Sequence, residues 1–465
     1  MRLNPEIQRY LWQDFSLHRT IAMPSVLLAV VLLASLIHGA TVAIVGATGF
    51  YVLVFFWGGS QAANAVIEEI NTSTWDNYRL SPVSPWALCF GKLFGAPLFS
   101  WYGGLMALGI YVIASLMYRP DLLPGIPVPP VEIFYNVLLM VASALLCHAV
   151  AMLTSMQTLQ LRTRSSRFNS VAYLICGLVA SHIFFSLRQA TMLLEIGKIN
   201  KIPNMSLNWF GMTIGLDNFM LCSLLLFLGW TLIGLVRTMR EELKIRNVPW
   251  VWALFLLFLM VYCSGFAYGD PALWKDTRNF AKILHLLAPR NFGIAFFIAL
   301  GATYAVIFTD VLSVTRYRML CYYAGKKNWL KTGQLTPRWV VSLALALLAG
   351  LAMIATNGED AGRTALMVIG LLLFLLRDMC ILHFFLFAPN TRRAHMATMF
   401  YLAVLYGLLP GILGAMRLEH GVLFFLPYYK EDANLLNLIP ALLQLGIAGA
   451  LLLHRWQRMN KAVAG

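Results

Sequence analysis

The residues best suited to chemistry concentrate in one polar stretch, Glu68 to Lys92, which reads EEINTSTWDNYRLSPVSPWALCFGK. Its carboxylates are Glu68, Glu69 and Asp76, its bases Arg79 and Lys92, and its aromatics include Trp75 and Tyr78. Thr72 or Ser73 can cap a short helix there, and Pro82 and Pro85 stop it. Trp75, Tyr78 and Arg79 then stand as contact residues, with Trp75 and Arg79 on one face. Buried aromatics and arginine anchor protein interfaces, so the stretch suits docking of a partner. A second candidate is Arg377-Asp378, inside or at the end of a long apolar run, with His383 further on. Charges within a membrane are functional candidates by default. The plainer reading is a local ion pair near the cytoplasmic interface.

Catalysis finds little support. The nine histidines are scattered, and no HExxH or paired-carboxylate spacing occurs. His148 beside Cys147 reads as a packed helix residue. The seven cysteines lie in or beside apolar runs without a CxxC, so neither disulfides nor a zinc site is expected. No G-x-x-x-x-G-K-[ST] loop is present, because Gly325-Lys326 lacks the upstream Gly and the following Ser or Thr. The expectation is a chain with no catalytic residues, no metal and no cofactor of its own.

These residues must be positioned by membrane helices. Of 465 residues, 60% are hydrophobic and 12% charged, where soluble proteins carry about 25% charged. That composition excludes a soluble enzyme, a disordered chain and a fibrous repeat. The apolar runs are continuous, whereas barrel strands would alternate over ~10 residues. A span needs ~20 mostly apolar residues. Twelve runs qualify, near 21–39, 43–66, 93–117, 131–157, 170–192, 213–236, 249–268, 291–312, 338–356, 364–388, 395–416 and 434–454. Residues 38–41 read as a tight hairpin between the first two. Ile7, Tyr10, Leu11 and Phe15 share a helical face, so the N-terminus reads as an amphipathic interfacial helix, not a signal peptide.

An internal repeat divides the runs. Ala65-Val66-Ile67 recurs as Ala305-Val306-Ile307, followed by acids (Glu68 and Glu69; Asp310) and then by Tyr78-Arg79 and Tyr317-Arg318. The fold class expected is therefore all-α and polytopic, with two six-helix halves, 1–246 and 247–465. Parallel halves of this kind are common in transporters. In the linker, Arg237 can reach Glu241 and Glu242 can reach Arg246, while Asn247 is placed to cap the seventh span. Asp310 and the Glu68-Glu69 pair read as helix-end carboxylates facing cytoplasmic water.

The polar stretch resembles the permeases of type-2 ATP-binding-cassette exporters. After their second span these carry an acid, a pattern like G-T-hydrophobic-E, then (T/S)-P-hydrophobic-S and a G-K about nine residues after the Pro. Here the residues are Ser73-Thr74-Trp75-Asp76, Ser81-Pro82-Val83-Ser84 and Gly91-Lys92. Ser73 stands where Gly is usual, and the second half lacks the Ser-Pro element. The resemblance covers roughly 60–95. It implies an ATPase-coupling site made of Glu68, Glu69, Thr74, Trp75, Asp76, Tyr78, Arg79, Ser81 and Pro82. It also implies an ATPase partner subunit that carries the ATP and Mg, and a bilayer of the bacterial cytoplasmic membrane. A second permease chain or a homodimer is the alternative to both halves acting within one chain.

Two other readings compete. A secondary, ion-coupled transporter also has six plus six spans, but the Gly-x-x-x-Asp-Arg-type loop expected after its second span is replaced by TWDNYRLSPVSP. A lipid-modifying membrane enzyme would need acids and histidines gathered at one depth. Nucleic acid is a poor partner, because the bases behind the net charge of +15 are dispersed over many loops. With the N-terminus inside, Lys and Arg number 23 in cytoplasmic segments against 11 outside, which places both termini in the cytoplasm. Cysteine labelling of intact cells should therefore fail at residue 77 and succeed at residue 125. The reverse pattern would overturn the topology.

Overall fold

The computed structural model describes residues 4–37, 39–72, 74–118, 121–123, 126–127, 130–160, 171–183, 206–245, 247, 250–268, 292–310, 313–388, 394–418, 421, 424–425 and 435–464. The chain is an all-α, multi-pass membrane protein. Among the described residues nine helices are long and apolar enough to cross a membrane. Three shorter apolar helices, Val171–Ile183, Trp250–Ser264 and Phe292–Phe308, fall within the fifth, seventh and eighth expected spans. Residues 184–192 of the fifth and 311–312 of the eighth lie outside the described residues, as do Ser73, Gly125 and Arg246.

Two compact units emerge, one of residues 1–207 and 213–247, the other of 208–212 and 248–465. The first begins with α1 (Pro5–Asp14), capped by the Asn4 side chain, which accepts from the Glu6 amide. It continues through α2 (Leu17–Ile37) and α3 (Gly39–Phe50), which meet through Val31 and Ala34 on one side and Val42, Ala43 and Val45 on the other. A π turn over Tyr51–Gly58 follows, then α4 (Gly59–Asn64) and α5 (Ile67–Asn71), so this span runs continuously to the acids. The polar stretch forms α6 (Trp75–Leu80) and α7 (Pro85–Gly95), and the unit is completed by α8 (Leu98–Tyr118), α9 (Pro130–Gln160), α10 (Val171–Ile183) and α11 (Leu216–Glu242). Its core joins Phe50, Val54 and Phe55 to Ala107 and Leu108 of α8 and Ala144 and Cys147 of α9. The π turn has a local consequence. His148 Nε2 donates to the Val54 carbonyl at 2.8 Å, as expected where a π turn disturbs the regular ladder.

The second unit comprises α12 (Trp250–Ser264), α13 (Phe292–Thr309), α14 (Val314–Gly325), α15 (Trp329–Leu335), α16 (Arg338–Thr356), α17 (Ala361–Leu386), α18 (Ala394–Ala403), α19 (Leu409–Ala415) and α20 (Ile439–Ala464). Phe296 and Ala299 of α13, Ala346, Ala349 and Met353 of α16, and Val368, Leu372 and Leu375 of α17 form its core. Gly350 lets these helices close up, since a Cβ there would sit 2.7 Å from Val368 Cγ1. Small residues serve helix contacts in lipid, where apolar burial gives no drive between helices.

Three local expectations are corrected. Helix α6 has no side-chain cap: Thr74 occupies the cap position, but its hydroxyl turns back to the Glu69 carbonyl at 3.1 Å, and the Thr72 hydroxyl reaches the Glu68 carbonyl. Asn247 does not start α12. Its amide donates to the Arg237 carbonyl at 2.6 Å and to Glu241 Oε1 at 3.0 Å, closing the end of α11. The third span, expected from residue 93, starts at Leu98, so Gly95 lies with Gly91 on α7, facing α1.

That last contact yields a test. A Cβ at Gly91 would fall 2.5 Å from Glu6 Cβ, and one at Gly95 2.5 Å from Tyr10 Cδ2. Overpacking of this kind costs about 1–3 kcal/mol. Gly91→Val should lift α1 from α7 and speed tryptic cleavage at Arg9. Cleavage at the wild-type rate would show that α1 is not seated there.

Candidate functional site

The polar stretch closes around one carboxylate. Glu69 ends a membrane span and is 7% exposed. Its Oε1 accepts from Arg9 Nη2 at 2.8 Å and from the Tyr78 hydroxyl at 3.0 Å, and its Oε2 accepts from the Lys92 ammonium. Glu6 of α1 joins the group, 3.0 Å from Arg9 Nη2 and 3.5 Å from Lys92 Nζ. Two carboxylates thus meet two cations. The Lys92 ammonium also lies 4.5 Å from the centre of the Tyr78 ring and 5.8 Å from that of Trp75, close enough for cation–π attraction.

Burial explains the electrostatics. Lys92 is fully buried, and desolvation pushes its ammonium below the usual lysine range while Glu69 and Glu6 pull it up. Desolvation, followed by the Glu69 charge, holds the Tyr78 phenol well above the ordinary tyrosine range. Burial alone raises the neighbouring Cys89 thiol to about 12, so this thiol is an inert packing group.

Trp75 departs from the sequence expectation. It is 4% exposed and packs among Leu88 and Leu93 of α7, Met152 and Met156 of α9, and Leu235 and Met239 of α11. Its indole is turned inward while Arg79 stays exposed, so Trp75 is no external anchor. It ties α6 to the ends of two spans and to α7. The outward residues are Asp76, Asn77, Arg79 and Leu80, the last 87% exposed. Arg79 pairs with Asp76 at 2.7 Å and donates from Nε to the Glu242 carbonyl at 3.3 Å. Ser81 donates to the Tyr78 carbonyl and Pro82 is exposed, so both lie on the outer turn between α6 and α7. Glu68 is exposed as expected.

Asp310, expected to face water, is 4% exposed. It ends α13 as Glu69 ends the span before α6, and the first residue of the next span holds it. The Arg338 amide donates to Asp310 Oδ2 at 3.1 Å, its Nη2 lies 3.3 Å from Oδ1, and Arg316 Nη1 stands 3.7 Å away. Tyr317 does not reach this acid. Its hydroxyl meets His383 Nε2 at 2.7 Å and accepts from Trp339 Nε1 at 3.0 Å.

Arg377 and Asp378 are 1% and 3% exposed, so the pair is enclosed by the protein. Arg377 Nε donates to Asp378 Oδ1 at 2.8 Å. Asp378 Oδ2 accepts from the hydroxyls of Tyr304 and Tyr406, each at 2.7 Å. Arg377 also donates to Gln444, and its guanidinium lies 4.8 Å from the ring centres of Phe374 and Tyr406. The pair joins α13, α17, the π turn Val404–Leu408 and α20. A buried, mutually bonded pair of this kind cross-braces helices.

Sequence reasoning missed Glu6 and Arg9 as partners, and met Lys92 only as a motif residue. The Glu6, Arg9 and Tyr10 spacing on α1 carried the only signal, since these residues lie within one helical turn of each other. No protein-family model, curated protein or solved structure matches the chain.

Breaking a buried pair by removing one partner costs about 3–5 kcal/mol. Lys92→Met should lower stability by that order in a detergent unfolding titration. Adding Glu69→Gln should restore most of it, because Glu6 and Arg9 then balance each other. An equal or larger loss in the double variant would show that the carboxylate is held by something other than the lysine.

Proposed function

We propose that the chain is the membrane permease subunit of an ATP-driven exporter of the type-2 ATP-binding-cassette class, working with a separate ATPase subunit. The observation that carries this reading is the setting of α6. A six-residue helix projects from the end of a span. The Glu69 cluster holds it from one side and Trp75 bolts it to α7, α9 and α11. Force applied to its outer face is therefore delivered to several spans at once, which a coupling element requires. The spacing of Thr74, Ser81-Pro82 and Gly91-Lys92 supports the same reading.

In this scheme Asp76, Arg79 and Leu80 touch the ATPase, while Glu69, Trp75, Tyr78 and Lys92 transmit its motion inward. ATP and Mg belong to the partner, substrate passes between six-span units, and the lysine and arginine asymmetry puts both termini on the cytoplasmic side of a bacterial inner membrane. The Arg377–Asp378 pair would be the natural coupling site of the rival reading, an ion-coupled transporter. Its groups neutralise each other within a four-element brace, which favours a structural part for it.

Arg79→Ala and Leu80→Ala should each weaken ATPase association by about 2 kcal/mol or more, roughly thirtyfold, at normal membrane levels. Trp75→Ala should instead lower the amount of folded permease. Co-purification with the ATPase, read against permease abundance, separates the two. Retention of the ATPase at wild-type strength by both outer-face variants would remove α6 as the coupling element.

A further inference from the structure

The link between α13 and α16 has a composition unlike that of α6. From Ser313 to Arg338 it holds Arg316, Arg318, Lys326, Lys327, Lys331 and Arg338, and not one acid. The arginines have internal work: Arg316 and Arg338 face Asp310, and Arg318 Nη2 donates to the Met459 carbonyl at 3.1 Å. The three lysines are all exposed.

Their placement is built by the backbone. Lys327 adopts a left-handed conformation with φ of 54°, which breaks the chain between α14 and α15. Asn328 then caps α15, its Oδ1 accepting from the Lys331 amide at 3.2 Å. This corner gathers the lysines. Lys326 Nζ stands 4.5 Å from the Tyr322 ring centre and Lys331 Nζ 4.9 Å from that of Tyr323. Beside them Trp329 and Leu330 are 73% and 75% exposed, and Tyr322 is 55% exposed.

Neither α14 nor α15 contains a buried residue. Isolated helices shorter than about 12–15 residues are marginal in water, and α15 has seven. The fold holds α14 through Val314 and Tyr317 and the end of α15 through Arg316, which donates to the Leu335 carbonyl at 3.0 Å, but it leaves Trp329, Leu330 and the three lysines exposed. The segment is tethered at both ends to apolar helices, leaving α13 after Thr309 and entering α16 at Arg338. The bilayer is therefore the surface already within reach. Ammonium groups flanked by Trp, Tyr and Leu match its headgroup region, where charge meets phosphate and the apolar body enters the acyl boundary.

We infer that the α14–α15 corner is an anionic-lipid docking site, in which Lys326, Lys327 and Lys331 bind phospholipid headgroups and Trp329 and Leu330 insert beside them. The α14–α15 corner then lies at the membrane surface beside the apolar helices it joins. This site does not depend on the exporter reading.

Amide hydrogen exchange on the full chain in nanodiscs tests it without any ATPase. Each lysine near an anionic surface contributes about fivefold. Amides of α15 should thus exchange far more slowly in phosphatidylcholine mixed with phosphatidylglycerol than in phosphatidylcholine alone. The variant Lys326→Gln/Lys327→Gln/Lys331→Gln should erase most of a roughly hundredfold difference in docked population, leaving α16 exchange unchanged. High salt should act as the variant does. Equal α15 exchange in the two bilayers overturns the proposal, as does protection that survives the triple substitution. Protection that arises only on adding a soluble protein would also overturn it and assign the corner to an acidic partner. Should the triple variant fail to fold, the comparison of the two bilayers with the wild-type chain decides alone.

Discussion

A carboxylate buried at the end of a membrane span must be neutralised where it stands, and the first unit is arranged around that demand. Glu69 cannot be solvated, so cations come to it from two directions: Arg9 from the N-terminal helix and Lys92 from α7. Each then needs its own compensation, which Glu6 provides by bridging both. The cost of burying such groups is large, and no member can be lost without exposing the rest to it. This interdependence joins α1 to the consecutive helices α5, α6 and α7, distant from it in sequence, in one corner. Apolar packing could not do this with the same specificity, because in lipid it discriminates poorly between helix faces.

The second unit meets the same demand more locally. Asp310 follows an apolar helix, α13, but its cations lie on later helices of the same unit, Arg316 of α14 and Arg338 of α16. No N-terminal helix is recruited, and Tyr317 is released to a His383 and Trp339 cluster. The acid, tyrosine and arginine that recur in the sequence are therefore held by different neighbours in each unit. That difference is reflected at the surface, where α6 presents Asp76 and Arg79 while the α14–α15 corner presents lysines alone.

The apolar runs made the multi-pass helical fold legible, since continuous hydrophobicity in stretches of this length has few other solutions. The punctuation was legible in part: Pro82 follows the end of α6 as expected from the ring, while Pro85, expected to help stop that helix, opens α7. Side-chain direction was not. Trp75 follows a polar stretch and looks like a surface anchor, yet one turn of a six-residue helix decides which way it faces, and α9 and α11, remote in sequence, supply the pocket. The spacing of Glu6, Arg9 and Tyr10 signalled a helix face but not its partners, because amphipathicity reports a helix's faces and not what meets them. Arg377-Asp378 was visible as an oddity, but its partners Tyr304, Tyr406 and Gln444 are joined to it only by folding.

Two kinds of polar group thus sit within one apolar molecule, and their geometry separates their parts. The Arg377–Asp378 brace is enclosed by its own helices: its acid is satisfied by two tyrosines and a guanidinium, and both charges are within a few percent of complete burial. A group so enclosed resists displacement and fixes helix against helix. Glu69 and Lys92 are buried too, but they lie against a helix of the protein's surface. Tyr78 belongs to α6, whose outer face meets water within a single turn. A push there must either break a buried ion pair or move everything attached to it. The second costs less, since the four charges remain paired if α1, α6 and α7 shift together. A device meant to carry motion from an aqueous surface into apolar helices needs that combination, a rigid interior and an outer face within one turn of it.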